Sequence, residues 1–198
     1  QKMKTLNLFI VELKKIIKDT ITTESGFELY VDSKFEGGEF EHRITEGPVV
    51  CAPMKYNTGV KTGDTIYFHH LVVVNKGQAL TGVDDHYLIR YDDEHTINNQ
   101  AIAYKSKDTG EIKPLAGWAL LEPVDEDLDI KSDVIEIVSL KKQLPSKGKV
   151  SFNTPWLKEL GVFAGDIVGF GRDRDYRIKI DGKEYYRTRA EDLMYILN

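Results

Sequence analysis

The sequence predicts an all-β protein that contains two tandem copies of one small β-barrel module. Three observations favour this class: many short alternating apolar runs, glycine-rich turns between them, and a repeated turn-and-strand motif. The motif is V-K-T-G-D-T-I-Y-F at residues 60–68 and V-F-A-G-D-I-V-G-F at residues 162–170. Glycine accepts positive φ and aspartate can hydrogen-bond nearby backbone, so each Gly-Asp pair predicts a turn that leads into a half-buried strand.

Other matches occur around the two Gly-Asp motifs in the same order, which indicates a duplication. They are Lys4-x-Leu6 with Lys113-Pro114-Leu115, Gly47-Pro48-Val49 with Gly148-Lys149-Val150, and Tyr87-x-x-Arg90-x-Asp92-Asp93 with Tyr186-x-x-Arg189-x-Glu191-Asp192. We therefore expect a first module at residues 1–100, a linker at residues 101–112 and a second module at residues 113–198.

The first module is predicted to contain strands at residues 6–13, 47–52, 65–74 and 86–91, with a further strand at residues 101–105. A long polar loop at residues 22–46 interrupts this pattern and holds one apolar island, F-E-L-Y-V at residues 27–31. An apolar patch in a long polar loop is typical of an interaction site. A plain extra strand would explain the same pattern.

The second module repeats this plan, with strands predicted at residues 115–124, 148–152 and 167–170. Its long loop, residues 125–147, again holds an apolar island, V-I-E-I-V at residues 134–138. Residues 177–180 and 183–187 flank Asp181-Gly182 and predict a hairpin, because Asp-Gly is a favoured two-residue turn. Residues 190–197 close the module.

Composition and charge limit the classes of protein to which the chain can belong. The chain of 198 residues has a formal net charge of −5, which disfavours a general nucleic-acid-coating protein. The single cysteine, Cys51, lies in an apolar run and fits a buried core position in a reducing compartment. No secretory leader and no apolar run near eighteen residues is recognisable, so we expect a soluble cytoplasmic protein.

No motif for metal, nucleotide or nucleophilic chemistry is recognisable. His69 and His70 are adjacent on a predicted strand, where their side chains would point to opposite faces and could not share one ion. Lys147-Gly148-Lys149 lacks the Walker pattern, and Gly169-x-Gly171 lacks the third glycine of a dinucleotide fingerprint. The carboxylates form loop clusters with no paired base. The sequence predicts a non-enzymatic protein with no cofactor and no metal.

One basic and aromatic region lies between Arg172 and Arg189. Its cations alternate with tyrosines, which on a small barrel would suit stacking of single-stranded nucleic acid. Acidic residues also alternate with those cations, so a hairpin with cross-strand ion pairs explains the pattern equally well.

The order of these features resembles the GroES or ten-kilodalton co-chaperonin family. In the second copy the resemblance rests on Lys113-Pro114-Leu115, Lys147-Gly148-Lys149-Val150, Ala164-Gly165-Asp166 and the ending at residues 186–197. In the first copy it rests on Lys4-Thr5-Leu6, Ser25-Gly26-Phe27-Glu28-Leu29 and Thr62-Gly63-Asp64. The two copies together cover nearly the whole chain.

The resemblance implies a homo-oligomeric ring that caps a chaperonin of the sixty-kilodalton type and assists folding of a client protein. It places the chaperonin-binding residues in mobile loops. They are Gly26, Phe27, Glu28 and Leu29 in the first copy, and Val134, Ile135 and Ile137 in the second. Phe27 and Leu29 are two residues apart, so both can face one apolar groove if the segment is extended.

The family often carries a roof hairpin between the two strands that flank the Gly-Asp turn. The corresponding intervals here, residues 52–60 and 153–162, are short, which predicts an open dome of the viral type. Two other classes fit parts of the sequence. One is a scaffold protein with this fold that binds single-stranded nucleic acid through residues 172–189. The other is a fragment of a zinc alcohol dehydrogenase, whose barrel is similar but whose nucleotide-binding half is absent from this sequence.

Overall fold

A computed structural model describes residues 3–18, 20–23, 25–30, 43–74, 78–128, 140–171 and 176–197 of the chain. The chain divides into two compact units, Gln1–Ala116 and Gly117–Asn198. Each unit contains one six-stranded sheet, and the first also holds a two-stranded hairpin. The prediction of an all-β protein with two small β modules is confirmed.

The described part of the first unit contains eight strands. In chain order they are β1 (Leu8–Glu12), β2 (Thr20–Thr22), β3 (Glu28–Tyr30), β4 (Glu46–Cys51), β5 (Thr65–Phe68), β6 (His86–Arg90), β7 (Ala101–Lys105) and β8 (Ile112–Pro114). The six-stranded sheet has the order β6-β1-β4-β5-β7-β8, and all its neighbours are antiparallel. Within the described residues, strands β2 and β3 pair only with each other.

Among its described residues the second unit contains six strands: β9 (Trp118–Leu128), β10 (Leu140–Val150), β11 (Ile167–Phe170), β12 (Arg177–Ile180), β13 (Lys183–Arg189) and β14 (Leu193–Leu197). Their order in the sheet is β12-β13-β9-β10-β11-β14, again antiparallel throughout. The expected Asp-Gly hairpin is present, since Ile180 pairs with Lys183 and both Asp181 and Gly182 have positive φ.

Five strands follow the same order in both sheets. Strands β6-β1-β4-β5-β7 of the first correspond to β13-β9-β10-β11-β14 of the second. The agreement extends to register: Thr65 pairs with Lys105 as Ile167 pairs with Leu197, and an irregularity interrupts both ladders two residues later. The two sequence copies therefore fold into the same five-strand arrangement.

The Gly-Asp turns connect equivalent strands through the same hydrogen bonds. In the first unit, Gly63 N donates to Val49 O and Val49 N to Asp64 O, both at 2.8 Å. In the second, Gly165, Val150 and Asp166 make the same two bonds at 2.8 Å. Gly63 and Gly165 adopt φ of 92° and 99°, a region that a residue with Cβ rarely occupies. The glycine in each copy is thus required by the turn.

Each turn is also closed by its aspartate side chain. Asp64 Oδ2 accepts from Lys61 N, and Asp166 Oδ2 accepts from Phe163 N, both at 2.8 Å. Asp64 Oδ1 additionally accepts from Lys107 N at 3.0 Å, and Asp64 is only 1% exposed. The first turn therefore has one more side-chain contact than the second.

Buried apolar side chains form the core of each unit. In the first unit Phe9, Ile66, Phe68 and Ile89 are fully buried. In the second unit the cluster includes Ala119, Leu121, Val150, Leu157, Val162, Val168, Phe170 and Tyr186. Burial alternates along β4 and β12, as the period-two pattern predicted, but consecutive residues are buried at 9–11 in β1 and at 66–68 in β5.

A short helix, α1 (Pro155–Glu159), follows β10. Thr154 Oγ1 accepts from Leu157 N at 3.3 Å, and Pro155 begins the helix, which are the usual features of a helix N-terminus. Leu157 is buried, and Trp156 Nε1 donates to Trp118 O at 2.9 Å. Residues 52–64 and 151–166 are all described, and neither interval contains a β-hairpin.

The predicted strand at residues 65–74 is too long. Strand β5 ends at Phe68, and a 3₁₀ helix follows at His70–Val73, with His69 Nδ1 accepting from Leu71 N at 3.2 Å. The prediction that the side chains of His69 and His70 point to opposite faces of a strand is therefore wrong. Their rings stack, with centroids 4.4 Å apart.

The expected linker at residues 101–112 contains β7 and the first residue of β8. Both strands belong to the sheet of the first unit, where β7 pairs with β5 and with β8. No helix within the described ranges has the length and apolar character needed to cross a membrane.

The two Gly-Asp turns give a stability prediction. Asp64→Ala leaves two backbone N–H groups without their acceptor, whereas Asp166→Ala leaves one. We expect a loss of about 2–3 kcal/mol in unfolding free energy for Asp64→Ala and about 1 kcal/mol for Asp166→Ala. Urea unfolding of the full chain, followed by far-ultraviolet circular dichroism, measures both.

The matched control is Asp108→Ala, because Asp108 is an exposed partner of Lys61 at 3.6 Å. Exposed ion pairs contribute little, so its unfolding free energy should stay within about 0.5 kcal/mol of the parent value. Equal losses for Asp64→Ala and Asp166→Ala would contradict this account of the turns.

Tyr91 gives a prediction on pH dependence. Its ring packs edge-to-face on Phe9 and on Tyr56, with centroids 5.4 Å apart in each pair, and burial raises its pKa to about 12. Because an unfolded tyrosine titrates near pH 10, the folded state retains this proton longer. Stability should therefore fall as pH rises from about 10 to 12.

Tyr91→Phe keeps the ring and removes the titrating hydroxyl. We expect it to reduce the alkaline loss of unfolding free energy by about 1–2 kcal/mol, measured by urea unfolding at a series of pH values. Tyr176→Phe is the control, because Tyr176 is partly exposed. An unchanged pH profile in Tyr91→Phe would show that this hydroxyl titrates normally.

Candidate functional site

The loop between β1 and β4 contains a separate β-hairpin. Thr20 pairs with Tyr30, Ile21 with Leu29 and Thr22 with Glu28, and these two strands join neither six-stranded sheet. Nearer the sheet, Ile17 bridges Arg43, and Ile44 N donates to Ile16 O at 2.9 Å. Residues 16–17 and 43–44 therefore pair in the chain segments between this hairpin and the first sheet.

The hairpin tip is a turn closed by Thr23. Thr23 N donates to Phe27 O and Gly26 N donates to Thr23 O, both at 2.8 Å. Phe27 N donates to Thr23 Oγ1 at 3.1 Å. Gly26 has φ of 83°, and nothing lies within 4 Å of where its Cβ would be. These hydrogen bonds therefore fix the position of the Phe27 backbone at the end of the turn.

Phe27 is 72% exposed at this tip. Exposing a large aromatic ring forgoes roughly 1.5–3 kcal/mol of burial free energy, so such a ring is a natural anchor for a partner. Of the other predicted residues, Gly26 lies in the turn and Glu28 and Leu29 lie in β3. The backbone of β3 is extended.

The second predicted segment begins from the equivalent place in the second unit. The β1-to-β4 and β9-to-β10 connections join corresponding strands of the two sheets. Strands β9 and β10 continue toward this loop as a paired ribbon up to Leu128 and Leu140. Val134, Ile135 and Ile137 lie outside the described residues.

The described part of the basic region, residues 176–189, is largely packed against its own unit, and residues 172–175 lie outside the described residues. Tyr185 and Tyr186 are buried, so their rings are not open to a stacking base. Arg177 Nη1 lies 3.0 Å from Glu184 Oε2, and Lys183 Nζ lies 2.7 Å from Glu122 Oε1. The hydrogen bond from Lys183 lowers the pKa of Glu122. The cross-strand ion-pair interpretation therefore accounts for these residues.

Arg187 is the most buried cation of this region, at 7% exposed. Its guanidinium lies 4.9 Å from the Tyr176 ring centroid and 6.0 Å from that of Trp118, while Arg189 lies 4.3 Å from Trp118. Burial lowers the pKa of Arg187 to about 10, so it remains charged at neutral pH. Sequence reasoning missed this stack, because no local pattern indicates that an arginine in an alternating strand is buried.

One group of potential metal ligands occurs among the described residues: Asp92, Glu94 and His95, whose ligand atoms lie within 4.8 Å of one another. Asp92 Oδ1 accepts from Glu94 N at 2.9 Å and from His95 N at 3.0 Å. These backbone bonds lower the pKa of Asp92. They also explain the cluster as an ordinary aspartate-closed turn.

Comparison with known proteins agrees with the fold. No protein-family model matches the chain. The chain is 33% identical over 94 residues to the co-chaperonin GroES of Coprothermobacter proteolyticus, covering 44% of this chain and 95% of that protein. It is 28% identical over 93 residues to the co-chaperonin GroES of Cutibacterium acnes, covering 43% of this chain and 94% of that protein.

Each alignment covers almost the whole relative but less than half of this chain. Such coverage is expected if each relative consists of a single unit and aligns with one of the two similar units of this chain. The alignment with the Coprothermobacter protein is nearly complete on the side of that relative. The chain therefore belongs to the GroES co-chaperonin family.

Proposed function

We propose that this chain is a non-enzymatic co-chaperonin that assembles into a ring, closes the cavity of a sixty-kilodalton chaperonin and so assists folding of a client protein. Two curated relatives named co-chaperonin GroES support the general role. The observation that supports capping by this chain is the exposed Phe27 at the tip of a hairpin separate from both large sheets.

The physical basis of capping is a set of weak contacts used together. Phe27 and Leu29 would enter an apolar groove of the chaperonin, and Val134 or Ile135 with Ile137 would do so from the second loop. Each contact supplies a few kcal/mol at most, from which the cost of ordering the segment is subtracted. A ring presents many such segments at once, and multivalency turns them into stable but reversible binding.

We further propose that the dome over the cavity is open. The intervals at residues 52–64 and 151–166 hold a loop and helix α1 in place of a roof hairpin. The helix packs on its own unit through Leu157 and Trp156, so it is not free to extend over a cavity. An open dome suits client proteins that are large for the cavity.

Phe27→Asp tests the capping proposal. We expect it to weaken nucleotide-dependent binding of the full chain to a sixty-kilodalton chaperonin by at least ~10-fold, because a carboxylate cannot enter an apolar groove without losing its hydration. Pull-down and light scattering of the complex, each with and without ATP, measure the effect.

Phe163→Asp is the matched control. Phe163 is also an exposed phenylalanine, but its counterpart in the first copy is the charged Lys61, so a charge is compatible with that position of the turn. Its chaperonin binding should equal that of the parent chain. Full binding by Phe27→Asp would contradict the proposal, and so would absence of any complex with the parent chain.

Single-stranded oligonucleotide distinguishes the scaffold alternative. Since Tyr185 and Tyr186 are buried and Arg177 and Lys183 are paired with carboxylates, we expect no salt-dependent mobility shift with a thirty-nucleotide strand. A shift that weakens with added salt and is lost on Arg189→Glu would favour nucleic-acid binding instead.

A further inference from the structure

A polar pocket lies beside the Gly-Asp turn of the first unit. It has a volume of about 170 Å³, and it is lined by three residues of the segment before β5 and by five residues of β7, β8 and the turn between them. One water molecule needs only roughly 10–15 Å³ of such volume, so the pocket has room for a ligand larger than a single water. None of its lining residues belongs to the β2–β3 hairpin.

Tyr104 of β7 places a hydroxyl at the wall of this pocket. Tyr104 is only 7% exposed, and its Oη lies 2.9 Å from the position that a Cβ on Gly59 would occupy. Gly59 also lines the pocket and has φ of 76°, so no side chain stands between its backbone and the hydroxyl. Within the described residues this hydroxyl makes no hydrogen bond. Because buried hydroxyls normally have a hydrogen-bond partner, one that faces a pocket without a protein partner is suited to bind a polar ligand.

Two lysine side chains bring positive charge to the same pocket. Lys113 of β8 lies directly opposite Tyr104 in the β7–β8 ladder, so the two side chains are on the same face of the sheet. The hydrogen bond to Glu111 raises the pKa of Lys113, which is therefore charged at neutral pH. Lys61 belongs to the segment that leads into the Gly-Asp turn and also lines the pocket.

The acidic groups near the pocket already have partners. Asp64 Oδ2 accepts from Lys61 N at 2.8 Å, and its Oδ1 accepts from a second backbone N–H at 3.0 Å. Glu111 pairs with Lys113 at 3.1 Å, and Asp108 pairs with Lys61 at 3.6 Å. All four side chains of these two ion pairs are more than half exposed, and exposed pairs contribute little to stability. The two ammonium groups can therefore exchange a surface carboxylate for a bound anion at small cost.

The turn between β7 and β8 adds two hydroxyl groups to the lining. Ser106 Oγ accepts from Asp108 N at 3.3 Å and from Thr109 N at 3.4 Å. Thr109 Oγ1 accepts from Glu111 N at 3.2 Å. A serine or threonine hydroxyl carries one O–H donor besides its acceptor lone pairs, so these bonds use acceptor sites and leave the O–H as the donor. With Tyr104, three hydroxyl groups and two ammonium groups can donate into one pocket.

We propose that this pocket binds a phosphate group, either as inorganic phosphate or as the phosphate of a small phosphomonoester. Such a group carries between one and two negative charges at neutral pH and several strong acceptor oxygens, which match the two ammonium groups and the hydroxyl donors. Tyr104 Oη donates to one oxygen, Lys61 and Lys113 supply the positive charge, and the Ser106 and Thr109 hydroxyls donate to the remaining oxygens. The site goes beyond the proposed function and does not depend on it.

The second copy does not carry this group of residues. Register in the β5–β7 and β11–β14 ladders makes Ile196 the counterpart of Tyr104. Alignment of the two Gly-Asp motifs makes Phe163 the counterpart of Lys61. Both differences replace a polar group of the pocket by an apolar one, so we expect one bound phosphate per chain, in the first unit.

Isothermal titration calorimetry of the full chain with inorganic phosphate is the test, with ionic strength held constant by sodium chloride. We expect saturable binding of one phosphate per chain. Tyr104→Phe removes the hydroxyl and keeps the ring, and it should weaken binding at least ~5-fold. Tyr56→Phe is the matched control, because Tyr56 is a buried tyrosine of the same unit that does not line the pocket. Its phosphate affinity should equal that of the parent chain.

A double variant, Lys61→Gln with Lys113→Gln, tests the charges without touching the core, because both side chains are exposed. We expect it to weaken phosphate binding at least ~10-fold, since hydrogen bonds from ionised donors are the strong ones. The control is Lys14→Gln with Lys55→Gln, which removes the same charge from two exposed lysines of the same unit that do not line the pocket. It should bind phosphate like the parent chain.

Titrations with glycerol 3-phosphate and with acetate identify the ligand. Tighter binding of glycerol 3-phosphate than of inorganic phosphate would assign a phosphomonoester, and the reverse order would assign the free ion. Acetate should bind at least ~10-fold more weakly than phosphate, because it carries a single charge and fewer oxygens. Three results would overturn the proposal: no saturable binding of phosphate by the parent chain, equal affinity for acetate, or unchanged binding in both Tyr104→Phe and the lysine double variant.

Discussion

The Gly-Asp turn is the constraint on which both units depend. It joins β4 to β5 and β10 to β11 with the same backbone bonds, and its glycine requires a positive φ in each copy. Since side chains alternate with period two, a slip of one residue at this turn would move every apolar side chain of the following strand to the wrong face. The turn thus fixes the register of β5 and β11, and through them the register of β7 and β14.

The two copies keep this frame and differ at their edges and loops. In the first unit β8 pairs with the outer side of β7, whereas within the described residues β14 pairs only with β11. The first carries the β2–β3 hairpin, whereas the second extends β9 and β10 as a paired ribbon toward its loop. The two copies therefore differ in their edge strands and in the loop after their first strand, whereas the Gly-Asp turn and the order of five strands are the same in both.

Much of the frame was predictable because its signals are local. The Asp181-Gly182 hairpin, strand β11 at residues 167–170 and the duplication all follow from turn residues and alternation. The 3₁₀ helix at His70–Val73 could not be predicted in this way, because its β-branched residues are typical of a strand. The hydrogen bond from Leu71 N to the His69 side chain, which begins the helix, has no recognisable local signal. The burial of Arg187 also escaped, since it depends on Trp118, which is distant in sequence. The pairing of β8 with β7 escaped although only the short turn at residues 106–111 separates them, because residues 113–115 were assigned to the start of the second copy. Of the proposed site, the sequence indicated the apolar island but not the ordered turn that presents Phe27.

Amide hydrogen exchange of the full chain, free and bound to a sixty-kilodalton chaperonin with ATP, tests the central claim that loop segments carried by a duplicated frame make the contact. The account predicts new protection at residues 23–30 and in the loop around residues 134–137, with exchange in β4, β5, β10 and β11 unchanged. Protection confined to the sheets or to residues 176–189, with residues 23–30 unaffected, would contradict it.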